Sequence, residues 1–170
     1  MKSDDANKIG KHIFEVYGLG KAPFRFFKYE IRTFQAAPDA PVQVGGSCDF
    51  CSQGIKQWCW VVDANGKKFK VGPECIKKTD DANLIKQFKD NPDVRKAKRD
   101  QRHKREKAKI EECKKLIEDN KEKFKTMDHS KKGSYPFWDD KTFLDYVTWM
   151  MEHAGTAGKI RLLKEIKNIL

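Results

Sequence analysis

Cys48-Asp49-Phe50-Cys51, then Trp58-Cys59-Trp60, then Val71-Gly72-Pro73-Glu74-Cys75 is the stretch on which the fold turns, because thiols at this spacing can close around one metal ion. A Cys-x2-Cys turn points two sulfurs at a common centre, and a structural zinc site needs four such donors in a tetrahedron. The residues between explain how further sulfurs return to the first two. Ile55 to Val62 reads as a strand, Asp63-Ala64-Asn65-Gly66 as a hairpin turn, and Phe69 to Val71 as the returning strand. Gly72-Pro73 ends that strand and opens a helix, which sets Cys75 in the first helical turn, where the positive end of the backbone dipole favours a thiolate.

A knuckle, a hairpin and a helix-borne ligand resemble a treble clef zinc module. The second helix-borne ligand of that module is missing, since the residue three after Cys75 is Lys78. The candidate metal ligands are therefore Cys48, Cys51 and Cys75, with Cys59 as fourth. The competing reading makes Cys59, between two tryptophans, a small buried core residue, and leaves the fourth position to a His or Asp from elsewhere. Four protein ligands imply a structural Zn2+ with no open position for chemistry. About thirty residues rarely hold a core alone, so chelation is expected to unfold residues 45–79 first.

Charge is the second signal. The net charge is +11, and with 36% of residues charged and 38% hydrophobic the apolar material has to be concentrated in a few segments. The positive charge is local. Between Arg95 and Lys109 nine Lys or Arg stand against two acids, +7 in fifteen residues, whereas residues 128–170 carry only +1. Five cysteines, an odd number, in a chain whose first residues are polar and show no secretory leader favour reduced thiols and metal over disulfides. No apolar run approaches the ~20 residues needed to cross a bilayer. A cytoplasmic protein without a membrane partner is expected.

Four segments follow. Residues 1–44 hold an amphipathic helix over Asp4 to Tyr17, ended by Gly18 and Gly20, and an aromatic strand over Ala22 to Phe34. Residues 45–79 are the zinc hairpin module. In residues 80–127, the short helix opened at Cys75 runs on to about Lys89. Asn91 as cap and Pro92 at the first helical position then start one long basic helix reaching about Lys125, ~50 Å at 1.5 Å per residue. Ile110, Cys113, Ile117, Phe124 and Met127 fall at coiled-coil spacing, with Asn120 interrupting and Leu116 beside them. That seam closes on the C-terminal helices or on a second copy of the chain in a homodimer. Residues 128–170 form a helical hairpin. Its first helix, Lys141 to His153, is apolar around most of its circumference. Its second, Lys159 to Leu170, presents Ile160, Leu163, Ile166 and Leu170. The fold class is α+β. Gly155-Thr156-Ala157-Gly158-Lys159 is not a phosphate loop, having no strand before it and His153 where the first glycine belongs.

Cys48-Asp-Phe-Cys51, Asp63-Ala-Asn-Gly66-Lys67, Phe69-Lys-Val-Gly-Pro-Glu-Cys75-Ile-Lys-Lys78 and Ala154-Gly-Thr-Ala-Gly-Lys159 together resemble a family of small zinc-binding proteins encoded by bacteriophages and mobile elements. Its shared core is Cys-x2-Cys-Gly, a hairpin, Val-Gly-x-x-Cys-Val-x-Lys and a basic helix. Ser52 departs from the glycine common after the knuckle. The resemblance implies zinc and a phage setting in a bacterial cytoplasm, and no particular activity.

The residues themselves point to nucleic acid. Arg95, Lys96, Lys98, Arg99, Arg102, Lys104, Arg105, Lys107 and Lys109 are the candidate phosphate contacts, on a half-helix with no apolar stripe to bury. The alternative is a charged helix that only keeps the chain soluble. Lys56, Lys67, Lys68 and Lys70 lie near Trp58, Trp60 and Phe69, a mixture that could stack unpaired bases. The preferred reading of the tryptophans is nevertheless the module's own core. A different class is an effector that engages a host protein. Catalysis is not expected, because His12, His103, His129 and His153 are scattered, and Asp139, Asp140 and Asp145 read as helix-start acids rather than magnesium ligands.

Overall fold

The computed structural model describes residues 10–129, 131–134 and 136–170. The chain divides into two compact units, Met1–Ala97 and Lys98–Leu170.

The first unit is built on an antiparallel sheet of three strands, β1 (Arg25–Ile31), β6 (Gln57–Val62) and β7 (Lys68–Val71), in the order β1-β6-β7. Two short ribbons accompany it: β2 (Thr33–Phe34) with β3 (Gln43–Val44), and β4 (Gly46–Ser47) with β5 (Gly54–Ile55). The expected strand over Ala22 to Phe34 is thus two strands interrupted at Arg32, whose amide bonds Lys56 O and whose carbonyl accepts from Gly45. Gly45 lets the ribbons meet there, since a β-carbon on it would lie 2.7 Å from the Arg32 backbone. Helix α1 (Ile13–Val16) is shorter than the expected Asp4 to Tyr17 helix, because Gly10 takes φ 65° and His12 is extended, so residues 10–12 are not helical; residues 4–9 lie outside the described residues. It begins at His12, whose ring Nδ1 accepts from Phe14 N while Glu15 accepts from the His12 amide.

One face of the sheet is dry. Tyr29, Cys59, Val61, Phe69 and Val71 are buried there with Phe14, Phe24, Ile76, Leu84 and Phe88. Helices α2 (Pro73–Lys77) and α3 (Ala82–Asp90) supply the last three of these; they are two helices where one was expected, because Asp80 takes a positive φ of 54° and Asp81 caps a fresh start at Leu84 N. The Asp63 turn is pinned to the preceding loop. Its carboxylate, 1% exposed, accepts from the amides of Lys21, Asn65 and Lys67. A β-carbon on Gly20 would come within 2.6 Å of that carboxylate, so the close approach requires glycine. The Lys21 amide, against an opposing cost of burial, and then the other two amides hold the Asp63 carboxyl below its usual range.

Helix α4 (Pro92–Asp119) starts as predicted, with the Asn91 side chain accepting from Asp93 N and Val94 N. It does not reach Lys125. At Asn120 the backbone leaves helical geometry, the side-chain amide donates to Leu116 O, and α5 (Lys121–Lys125) follows as a separate turn. The second unit closes on α6 (Phe143–His153) and α7 (Thr156–Ile169), with a single 3-10 turn at Pro136–Trp138 before them. Cys113 and Phe124 from the predicted seam are fully buried with Phe143, Tyr146, Val147, Leu162, Leu163 and Ile166, so the chain's own hairpin packs on it. Two details differ from expectation. Trp149 is 40% exposed, which makes α6 one-sided, and α7 buries Leu162 rather than Ile160 or Leu170. Thr142 and Asp145 form a reciprocal cap at the α6 start, which gives Asp145 the helix-start role expected of it.

Candidate metal centre and basic helix

The knuckle is set by backbone before any metal is considered. Ser52 N donates to Cys48 O, Cys48 N donates to Gln53 O, and Ser52 itself takes φ 58°, the left-handed conformation that glycine would adopt at less cost. Asp49 ties the knuckle to β7, its amide donating to Lys70 O and its carboxylate accepting from Lys70 N and Nζ. From the other side Gly72 and Pro73 start α2, which carries Cys75 inward.

These constraints bring the three sulfurs of Cys48, Cys51 and Cys75 within 4.8 Å of one another. Cys48 and Cys75 are 3.7 Å apart, and Cys75 and Cys51 are 3.5 Å apart. Tetrahedral thiolates at a Zn–S length of 2.3 Å stand about 3.8 Å from each other, so the donors are spaced for a metal of that size. Their electrostatics point the same way. Burial pushes the Cys75 thiol up, and its cysteine neighbours push it further. Burial acts likewise on Cys51, but the Gln53 amide and the two other thiols outweigh it and leave Cys51 below its usual value. A divalent ion would deprotonate all three. Cys51 is the exposed edge of the group, while Cys48 and Cys75 are buried.

Cys59 is not in that group. It sits at the centre of β6, opposite Tyr29 on one side and Val71 on the other, with no exposed surface. Burial, with the neighbouring Cys48, pushes its thiol up to about 12. Among the described residues no His, Asp or Glu joins the three cysteines either. What the structure presents is a three-cysteine group positioned to bind a metal ion.

All nine predicted phosphate contacts lie on α4, and all nine are exposed. Val94 and Ala97 pack in the first unit, and Cys113 and Leu116 in the second. From Lys98 to Lys109 between them, every side chain is exposed except Glu106, which is half-buried. Arg95 pairs with Asp90, and Arg102 with Glu106. Among the described residues Lys96, Arg99, Lys104, Arg105, Lys107 and Lys109 enter no ion pair. The expected core role of the hairpin aromatics holds for Phe69, 4% exposed, but not for Trp58 and Trp60. These occupy the opposite face of the sheet, half-buried, outside the core cluster.

No family model matches the chain, and no curated protein or solved structure matches it. Among the described residues no helix is long and apolar enough to cross a membrane.

Proposed function

We propose that this is a zinc-stabilised nucleic-acid-binding protein of the phage type, which contacts phosphates through the exposed middle of α4. The observation that carries this reading is the run from Lys98 to Lys109. A helix stretch that buries nothing contributes no packing, yet its cations outnumber its acids and most are not neutralised by carboxylates. A solvating helix has no need of one-sided charge, whereas a phosphate backbone matches it and releases counterions on contact. The metal in this reading is Zn2+, held by Cys48, Cys51 and Cys75. Its task is to lock the knuckle onto β7 and α2, so that the unit from which α4 starts is rigid.

The test reverses charge at the exposed middle. Arg99→Glu, Arg102→Glu and Arg105→Glu together are expected to weaken binding to short duplex and single-stranded DNA at low salt by at least ~100-fold, read by fluorescence anisotropy. Unchanged affinity would remove the proposal. Affinity capture from a bacterial lysate with and without nuclease separates the alternative, because an effector that engages a host protein keeps its partner after digestion.

A further inference from the structure

The β1-β6-β7 sheet has a second face that the core does not use. Directly opposed residues of antiparallel strands share a face, and the register places Lys28, Trp60 and Lys70 in one row, Arg25, Val62 and Lys68 in the next, and Glu30 beside Trp58. A bulge between Phe26 and Lys28 breaks the alternation of β1 at Phe27, which is 52% exposed with Lys68 Nζ 4.1 Å from its ring centre. Trp58 and Trp60 meet edge to face at 5.9 Å, and Arg32 and Lys70 lie 5.7 and 5.3 Å from the Trp58 ring. Glu30 is the one acid in these rows. It is engaged by Lys28, Trp60 Nε1 and Arg32, and the Lys28 ammonium first among these draws its carboxyl down to about 2.

We propose that this outer face is a stacking platform for single-stranded nucleic acid, with an unpaired base on Phe27 and its neighbour against the edge of Trp60, and with Arg25, Arg32, Lys68 and Lys70 toward the phosphates. The inference rests on the nucleic-acid reading of α4 and narrows it to a strand class. Charge decides the chemistry: five cations flank three aromatic rings against two carboxylates, Glu30 on Lys28 and Arg32 and Asp49 on Lys70, both already engaged, so the surface suits a polyanion that also offers flat apolar faces. A duplex buries those faces in its own stack and exposes only phosphates and edges, whereas an unpaired strand presents them. Three strands at about 4.8 Å spacing span roughly 10 Å, room for one or two stacked bases.

The test uses the full-length, metal-loaded protein and labelled oligo(dT) beside a duplex. Phe27→Ala, at an exposed position, is expected to weaken oligo(dT) binding about tenfold and to leave duplex binding within about twofold. Phe137→Ala, which removes a 63% exposed ring of the second unit, should change neither. Photocrosslinking of wild-type protein to oligonucleotides carrying 5-bromodeoxyuridine should label peptides containing Phe27 or Trp58 to Trp60, which keeps the question decidable if a variant misfolds. Oligo(dT) affinity unchanged by Phe27→Ala, or crosslinks confined to α4, would overturn the platform while leaving the phosphate reading intact. Wild-type protein that binds neither strand form would remove both.

Discussion

Cys48 and Cys51 leave the knuckle with their sulfurs beside that of Cys75, whereas Cys59 points from the middle of β6 into the core. Spacing made the first two legible, since a Cys-x2-Cys turn acts within four residues. Cys75 followed from Gly72-Pro73, which marks the helix start. The position of Cys59 is a property of the sheet. Gln57 to Val62 has no polar alternation to show which parity faces inward, and the choice is made by Tyr29 and Val71 across the strands. The same blindness hid the outer face. Trp58 and Trp60 have the opposite parity to Cys59, and Phe27 depends on a bulge that no local pattern announces. Replacing Cys48, Cys51 or Cys75 by Ser is expected to abolish stoichiometric metal in purified protein, as measured by inductively coupled plasma mass spectrometry. Cys59→Ala should retain the metal and lower stability by ~1 kcal/mol through a small core cavity.

At the scale of elements, starts were easier to read than continuations. Asn91-Pro92 announced α4 because a cap acts on the next few amides, and the side chain makes both bonds that role requires. The break at Asn120 was not legible. Asn is an ordinary residue for a helix interior by propensity, and here its side-chain amide draws on the Leu116 carbonyl where the helix ends. Likewise the apolar run of α6 suggested complete burial, but only Phe143, Tyr146 and Val147 are buried, the neighbours available to cover it being one helix and the seam. Asn91→Ala should destabilise the first unit by about 1 kcal/mol in urea titration, because the amides of Asp93 and Val94 lose their acceptor. A variant indistinguishable from wild type would show that the cap contributes nothing to α4.

For the whole molecule, the α+β class and the C-terminal helical hairpin were readable from periodicity, while the partner of the seam and the division into two units were not. That division depends on where α4 stops packing, at Ala97, and starts again near Ile110, and the charged run between reads equally well as the end of one domain or the start of another. Each unit has its own core, and a metal held by the three-cysteine group would belong to the first. Removing it with a chelator is expected to abolish hydrogen-exchange protection over residues 45–79 while the protection of Cys113, Phe124, Val147 and Ile166 persists. Simultaneous loss in both units would contradict this separation.

The phosphate contact proposed for α4 is tested most directly by the salt dependence of wild-type binding to duplex DNA. Engagement of about six of its cations predicts that the logarithm of affinity falls against the logarithm of salt concentration with a slope near −5. A slope indistinguishable from zero, or no binding at the lowest salt, would contradict it.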